Sequence, residues 1–250
     1  MPNPPTDSVN QFFHLIQGQW LPFLGAICGI GSLAMAIIET AKNATPIRRW
    51  FQQDYLERWI NERAKNAKVV EDDPNSKFTE KPKAGKAITD LIKLATAGDA
   101  HAFYSLPIDQ MCGQANAAAQ AIMDYPDEYP DLLRCLAGLA ELSDIMAVIE
   151  LPPIPNPDST RIANSSEPRA HVTSQIQRSL DGFQISAADR WQTILQYAAF
   201  GLSFILTFIA LSLYPIGNHS WAKGIVVALA GGFLAPFARD VMAAVQGLRP

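Results

Sequence analysis

The chain has 250 residues, of which 48% are hydrophobic and only 18% charged, and its 20 Lys and Arg against 24 Asp and Glu leave a net charge of −4. A soluble domain of this length ordinarily carries more charge, so the apolar excess must be gathered into particular segments. A balance this close to neutral excludes a protein held to nucleic acid by overall basicity. The three cysteines, Cys28, Cys112 and Cys135, stand at no CxxC or metal-ligand spacing and are expected as free thiols.

Residues 1–20 hold one acid, Asp7, and no Lys or Arg. The basic n-region of a secretory signal is missing, and a short extracytoplasmic N-terminus is expected. The run Leu21 to Ile38 has no charge and as a helix covers roughly 27 Å, nearly a hydrocarbon core. Pro22 suits a first turn and Trp20 and Phe23 suit the interface, so residues 21–40 are expected as a first transmembrane helix. Gly25, Gly29 and Ser32 share one of its faces with Ala36. Small residues let two backbones approach closely in lipid, which makes this face a helix-packing or oligomerisation seam. Of the 20 basic residues, 17 lie between Lys42 and Arg190 and none precedes the first apolar run, so the positive-inside rule places the N-terminus outside and the middle of the chain in the cytoplasm.

Residues 46–70 repeat apolar side chains at helical spacing through Ile47, Trp50/Phe51, Tyr55/Leu56 and Trp59/Ile60. Lys42 to Lys68 carries seven bases and three acids. A basic amphipathic juxtamembrane helix of this kind can lie on anionic headgroups through Arg48, Arg49, Trp50, Arg58 and Trp59, or it can turn the same stripe into a core. Residues 71–83 are polar, hold two prolines and read as a linker. Residues 84–150 carry three further helical stripes, punctuated by Gly98, Pro107, Tyr125-Pro126 and Pro130, and are expected as a helical bundle. The last of these stripes runs through Leu132, Leu136, Leu139, Ser143 and Met146. From Asp99 to Glu150 nine acids face one base, Arg134, a charge pattern that suits a basic cytoplasmic protein as partner.

A Pro-rich linker over 151–170, an amphipathic helix over 171–185 and a helix cap at Ser186 then lead to a second transmembrane helix over 191–214, bracketed by Trp191 and Tyr214. Ser203 and Thr207 fall on one face of it with Ala199 and Ala210. After an outside loop at 215–223, residues 224–247 form a third, short span. Ala228, Gly232 and Ala235 give it a small packing face; Pro236 frees the Gly232 carbonyl and kinks it, and Arg239 with Asp240 stand where a pore or gate would need them.

No HExxH, CxxC, GxSxG or glycine-rich phosphate loop is present, so no catalytic residue, metal or cofactor is expected. Asp99, His101, Asp109 and Cys112 are the nearest approach to a reactive cluster, and they straddle a loop and a helix start where capping carboxylates belong anyway. The sequence therefore predicts an all-α, polytopic protein of the inner or plasma membrane. It has three transmembrane helices, the third short and Pro-kinked, and a cytoplasmic helical bundle between the first two, with the C-terminus inside. The expected role is non-enzymatic: an oligomerising, membrane-anchored assembly or signalling subunit whose partners are the lipid bilayer, further copies of itself and a basic protein, with no nucleic acid. The alternative is a homo-oligomeric channel or membrane-disrupting effector gated near Arg239 and Asp240.

Overall fold

The computed structural model describes the backbone of residues 29–42, 45–70, 78–150 and 159–213, with side chains over 29–42, 45–70, 78–150 and 166–209. Among these residues every regular element is helical: α1 (residues 29–42), α2 (Ile47–Asn66), α3 (Ala84–Thr96), α4 (Ala100–Ser105), α5 (Ile108–Asp124), α6 (Pro130–Leu136), α7 (Leu142–Glu150) and α8 (Ser159–Leu213). The chain divides into a helical unit, Pro46–Trp191, and an apolar unit made of Met1–Thr45 and Gln192–Pro250.

In the helical unit α2 buries Gln52, Leu56, Ile60 and Ala64, one residue per turn. The stripe that could have lain on lipid is core from Leu56 onward. α3 ends where Ala97 takes the left-handed conformation at φ 53° and Gly98 follows at φ 94°, its N–H donating to the Ile92 carbonyl at 3.2 Å. Asp99 then caps α4, accepting the Ala102 N–H at 2.8 Å. α5 buries Met111, Cys112, Ala115, Ala118, Ala119 and Ile122, and its alanines let neighbouring helices approach closely. Pro130 opens α6 from the first turn. The sequence expectation of one stripe from Leu132 to Met146 fails at Leu139, which is 60% exposed. Helix α6 stops at Leu136 and a turn through Gly138 resets the helical phase before α7, so Leu139 and Ser143 leave the buried face.

Helix α8 closes the unit by running antiparallel to α2. Phe51 meets Trp191 at 5.1 Å between ring centroids, and Tyr55 and Trp59 meet Phe183 at 5.7 and 5.0 Å. Pro46 and Trp191, the two ends of the unit, therefore lie at the same edge.

The sequence predicts a linker, a short helix and a separate span over 151–214; from Ser159 the structure has one helix of 55 residues, roughly 80 Å long. Pro168 lies inside it and removes a hydrogen bond to the fourth carbonyl back, an interruption that costs about 3 kcal/mol. Tertiary contacts beginning at once offset that: Arg169 donates to the Met123 carbonyl, and Val172, Ile176, Leu180 and Phe183 are all buried. Ser186 caps nothing, because its hydroxyl donates to the Phe183 carbonyl of the same helix at 3.0 Å. Among the described residues α8 is the one helix long and apolar enough to cross a membrane. Trp191 to Leu213 contains no charged residue and covers roughly 34 Å, slightly more than a hydrocarbon core.

In the apolar unit, α8 buries Ala199, Ser203 and Thr207, and the Thr207 hydroxyl donates to the Ser203 carbonyl of the same helix at 2.8 Å. On α1 the buried residues are Gly31 and Ala34, whereas Gly29, Ser32 and Ala36 are exposed. The seam used within the chain is thus roughly 200° round the helix from the one expected. Both stripes are built of small residues, and side-chain size alone does not choose between them.

Arg134 is 5% exposed and ties together two non-helical segments of the unit, at Lys68 and Glu80. Its guanidinium donates to the Glu80 carbonyl at 2.8 Å and the Lys68 carbonyl at 3.2 Å, and lies 5.1 Å from the Phe78 ring centre. Replacing it orphans two carbonyls and opens a cavity, so Arg134→Ala is expected to cost about 3 kcal/mol in denaturant unfolding of the helical unit. Gln52 is the opposite case, 1% exposed with neither amide atom reaching a partner. Gln52→Met, which keeps the shape and deletes the unpaired amide, is expected to raise the unfolding midpoint and add about 1 kcal/mol of stability.

Candidate functional site

The residues expected to meet the membrane surface separate into two groups. Arg58 pairs with Asp54 along the exposed face of α2, and Trp59 is packed between Phe183 and the Arg63 guanidinium, 5.2 Å from its ring centre. Both are occupied with the helical unit itself. Arg48, Arg49 and Trp50 occupy the first turn of α2, at the edge where the unit begins and ends. Trp50 is 61% exposed and Ile47 is exposed beside it, while Arg48 donates to the Ser105 carbonyl at 2.9 Å.

Gly25, Ala228, Gly232, Ala235, Pro236, Arg239 and Asp240 lie outside the described residues, as do the outer part of the first expected span and the whole of the third. Gly29 is exposed, and a β-carbon added there would meet nothing within 4 Å.

Asp99, His101, Asp109 and Cys112 are not assembled into a reactive site. Asp99 is committed to its cap, Asp109 accepts a hydrogen bond from Gln184 at 3.1 Å, and His101 is exposed on α4. Cys112 is buried, and burial pushes its thiol up to about 12, with Asp109 and Asp181 adding to the shift. Burial pushes Cys135 to about 12 as well. No group of three or more His, Cys, Asp or Glu among the described residues is arranged to hold a metal ion.

The acidic lobe is less uniform than its sequence. Asp131 accepts the Lys83 N–H at 3.1 Å and pairs with Lys86 at 3.5 Å; Glu141 pairs with Lys68 at 3.2 Å, and Asp144 with His171 at 3.3 Å. These carboxylates tie α6, α7 and the N-terminal ends of α3 and α8 together. Asp124, Tyr125, Asp127 and Glu128, at the turn between α5 and α6, are exposed. Arg134, the one base of the lobe, is withdrawn into the core, where burial lowers its pKa and Asp131 opposes that. A separate cleft of about 380 Å³ is lined by Trp59, Glu62, Arg63, Asn66, Gly138 and the exposed Leu139. The sequence gives no sign of it, because the apolar spacing from Leu132 to Met146 predicts continuous helix across the turn at Gly138 that builds it.

The chain matches no family model, no curated protein and no solved structure.

Both described thiols are protonated at pH 8 and enclosed, so in a Cys28→Ser background neither Cys112 nor Cys135 should react with a disulfide reagent until the protein is unfolded. A folded-state value of about 12 against an ordinary 9.0 means that the unfolded chain gives up these protons first. Their contribution to stability is complete below pH 9 and is lost as pH rises toward 12. Thermal melts across that range should show a falling midpoint.

Proposed function

We propose that the protein is a non-enzymatic, membrane-anchored assembly or signalling subunit that presents its helical unit to a partner on the cytoplasmic side of the inner or plasma membrane. The observation that carries this reading is the meeting of both ends of the helical unit at one edge, Phe51 on Trp191, with an uncharged helical run beginning where α8 leaves it. A module whose chain arrives and departs on one side is suited to sit on one face of a bilayer. The bases concentrated in the middle segment favour the cytoplasm as the side of that face. The expected three-span arrangement, with a first span reaching into α1 and a third near the C-terminus, belongs to this proposal.

Partner binding rests on the charge left at the surface. With Arg134 buried and five of the nine acids of the lobe engaged locally, the exposed acids and Tyr125 at the α5–α6 turn are the part of the lobe open to a basic protein. The open face of α1 at Gly29 and Ser32 is the surface a second copy would use.

Two measurements on the native membrane test the reading. The protein should stay in the pellet after carbonate washing, and protease should cut the helical unit in inverted vesicles but not in intact cells. Carbodiimide coupling of carboxylates to amines should give a discrete adduct that Asp127→Asn with Glu128→Gln removes. Solubility in carbonate sinks the anchor, and absence of any adduct sinks the acidic docking site.

A further inference from the structure

The first turn of α2 is built against the ordinary preferences of a helix start. It contains no acidic residue and has two arginines, Arg48 and Arg49, although the positive end of the helix dipole favours acids there. Its N-cap is Pro46, which gives no side-chain hydrogen bond to the turn. Two large apolar side chains, Ile47 and Trp50, are left exposed beside the arginines. Arg190 is also exposed, one residue before Trp191, with Asp189 as the nearest acid in sequence. Lys42, by contrast, is already paired with Glu39 at 2.8 Å.

The first turn of α2 lies close to Trp191, the last residue of the helical unit, because Phe51 packs on its ring at 5.1 Å. The headgroup layer on each side of a bilayer is roughly 5–8 Å thick. If α8 enters the bilayer at Trp191, the first turn of α2 falls within that layer.

We infer that the edge formed by Ile47, Arg49, Trp50 and Arg190 is a docking surface for anionic lipid headgroups, which fixes the helical unit against the bilayer. The inference rests on the reading of α8 as a membrane span. The arginines match anionic phosphates and Trp50 has the amphipathic ring that sits at headgroup depth, so charge and burial act together. An arginine near an anionic surface contributes roughly a fivefold preference, which salt screens; Arg190 is exposed and Arg49 partly so. Arg48 contributes less to lipid because Ser105 already holds it.

The test uses the full chain in nanodiscs, with Cys28→Ser and a spin label at Gln53→Cys, an exposed position on α2 two residues past Phe51. Discs of pure phosphatidylcholine are compared with discs containing one quarter phosphatidylglycerol, and the collision rate of the label with an aqueous nickel chelate is measured. The expected result is a fall of twofold or more in the anionic discs, restored by 0.5 M NaCl and absent in Arg49→Glu with Arg190→Glu. Inorganic phosphate added to phosphatidylcholine discs should not reproduce it. A change smaller than twofold, or a fall that persists in the charge-reversed variant, overturns the docking surface. Because the lipid and salt comparisons use unaltered arginines, they decide the matter even if that variant misfolds. Failure of the protein to remain in discs at all refutes the span; stable insertion without lipid dependence refutes only the docking surface.

Discussion

The antiparallel clasp between α2 and α8 is the contact from which the rest of the arrangement follows. Phe51 on Trp191 and Tyr55 and Trp59 on Phe183 are worth about 0.5–1.5 kcal/mol each beyond the area they bury. Their larger effect is topological. Helix α2 has 20 residues and is roughly 30 Å long. Had α8 packed parallel to it, the chain would leave the helical unit that far from where it enters. The aromatic pairing removes this separation, and it does so with residues whose spacing on α2, four apart, also points Leu56, Ile60 and Ala64 into the core.

Charge is used inside the helical unit as much as on it. A lone base in an acidic segment reads as a surface counter-charge, yet Arg134 is buried, and the two peptide carbonyls and aromatic ring it meets are neutral partners that a lysine's single ammonium could not serve with the same geometry. The acids that might have neutralised it are spent on Lys83, Lys86, Lys68 and His171, across helix boundaries. The exposed corner at Asp124 to Glu128, with Glu150, is what remains after the fold has satisfied itself. The net charge of a segment therefore overstates what a partner would meet.

Helical stripes in the middle of the chain were legible because 3.6-residue periodicity and Pro or Gly punctuation agree there. Leu91, Ile122, Leu132, Val172, Ile176 and Phe183 are all core, as their spacing demands. Legibility failed where a local preference was outweighed by packing at a distance. Pro168 argued for a linker, but Val172 and Arg169 are held by the unit and carry the helix through it. Gly138 changed the helical phase within an apolar run, so the exposure of Leu139 and the cleft beside it had no signature in composition. Gln52 and Arg134 occupy buried positions against their type, and only tertiary partners, or the lack of them, distinguish them from surface residues. On α1 the sequence offers two faces of similar side-chain size, and nothing local chooses between Gly29/Ser32 and Gly31/Ala34.

Helix α8 is continuous from Ser159 to Leu213, through the last residues of the helical unit. Ser186, the residue best suited to interrupt it, instead bonds the Phe183 carbonyl and strengthens the continuation. A shift of α8 by one residue would rotate its side chains by about 100° and withdraw Phe183 from Tyr55 and Trp59. Close-packed aromatic contacts of this kind do not stretch; they are kept or exchanged for another set.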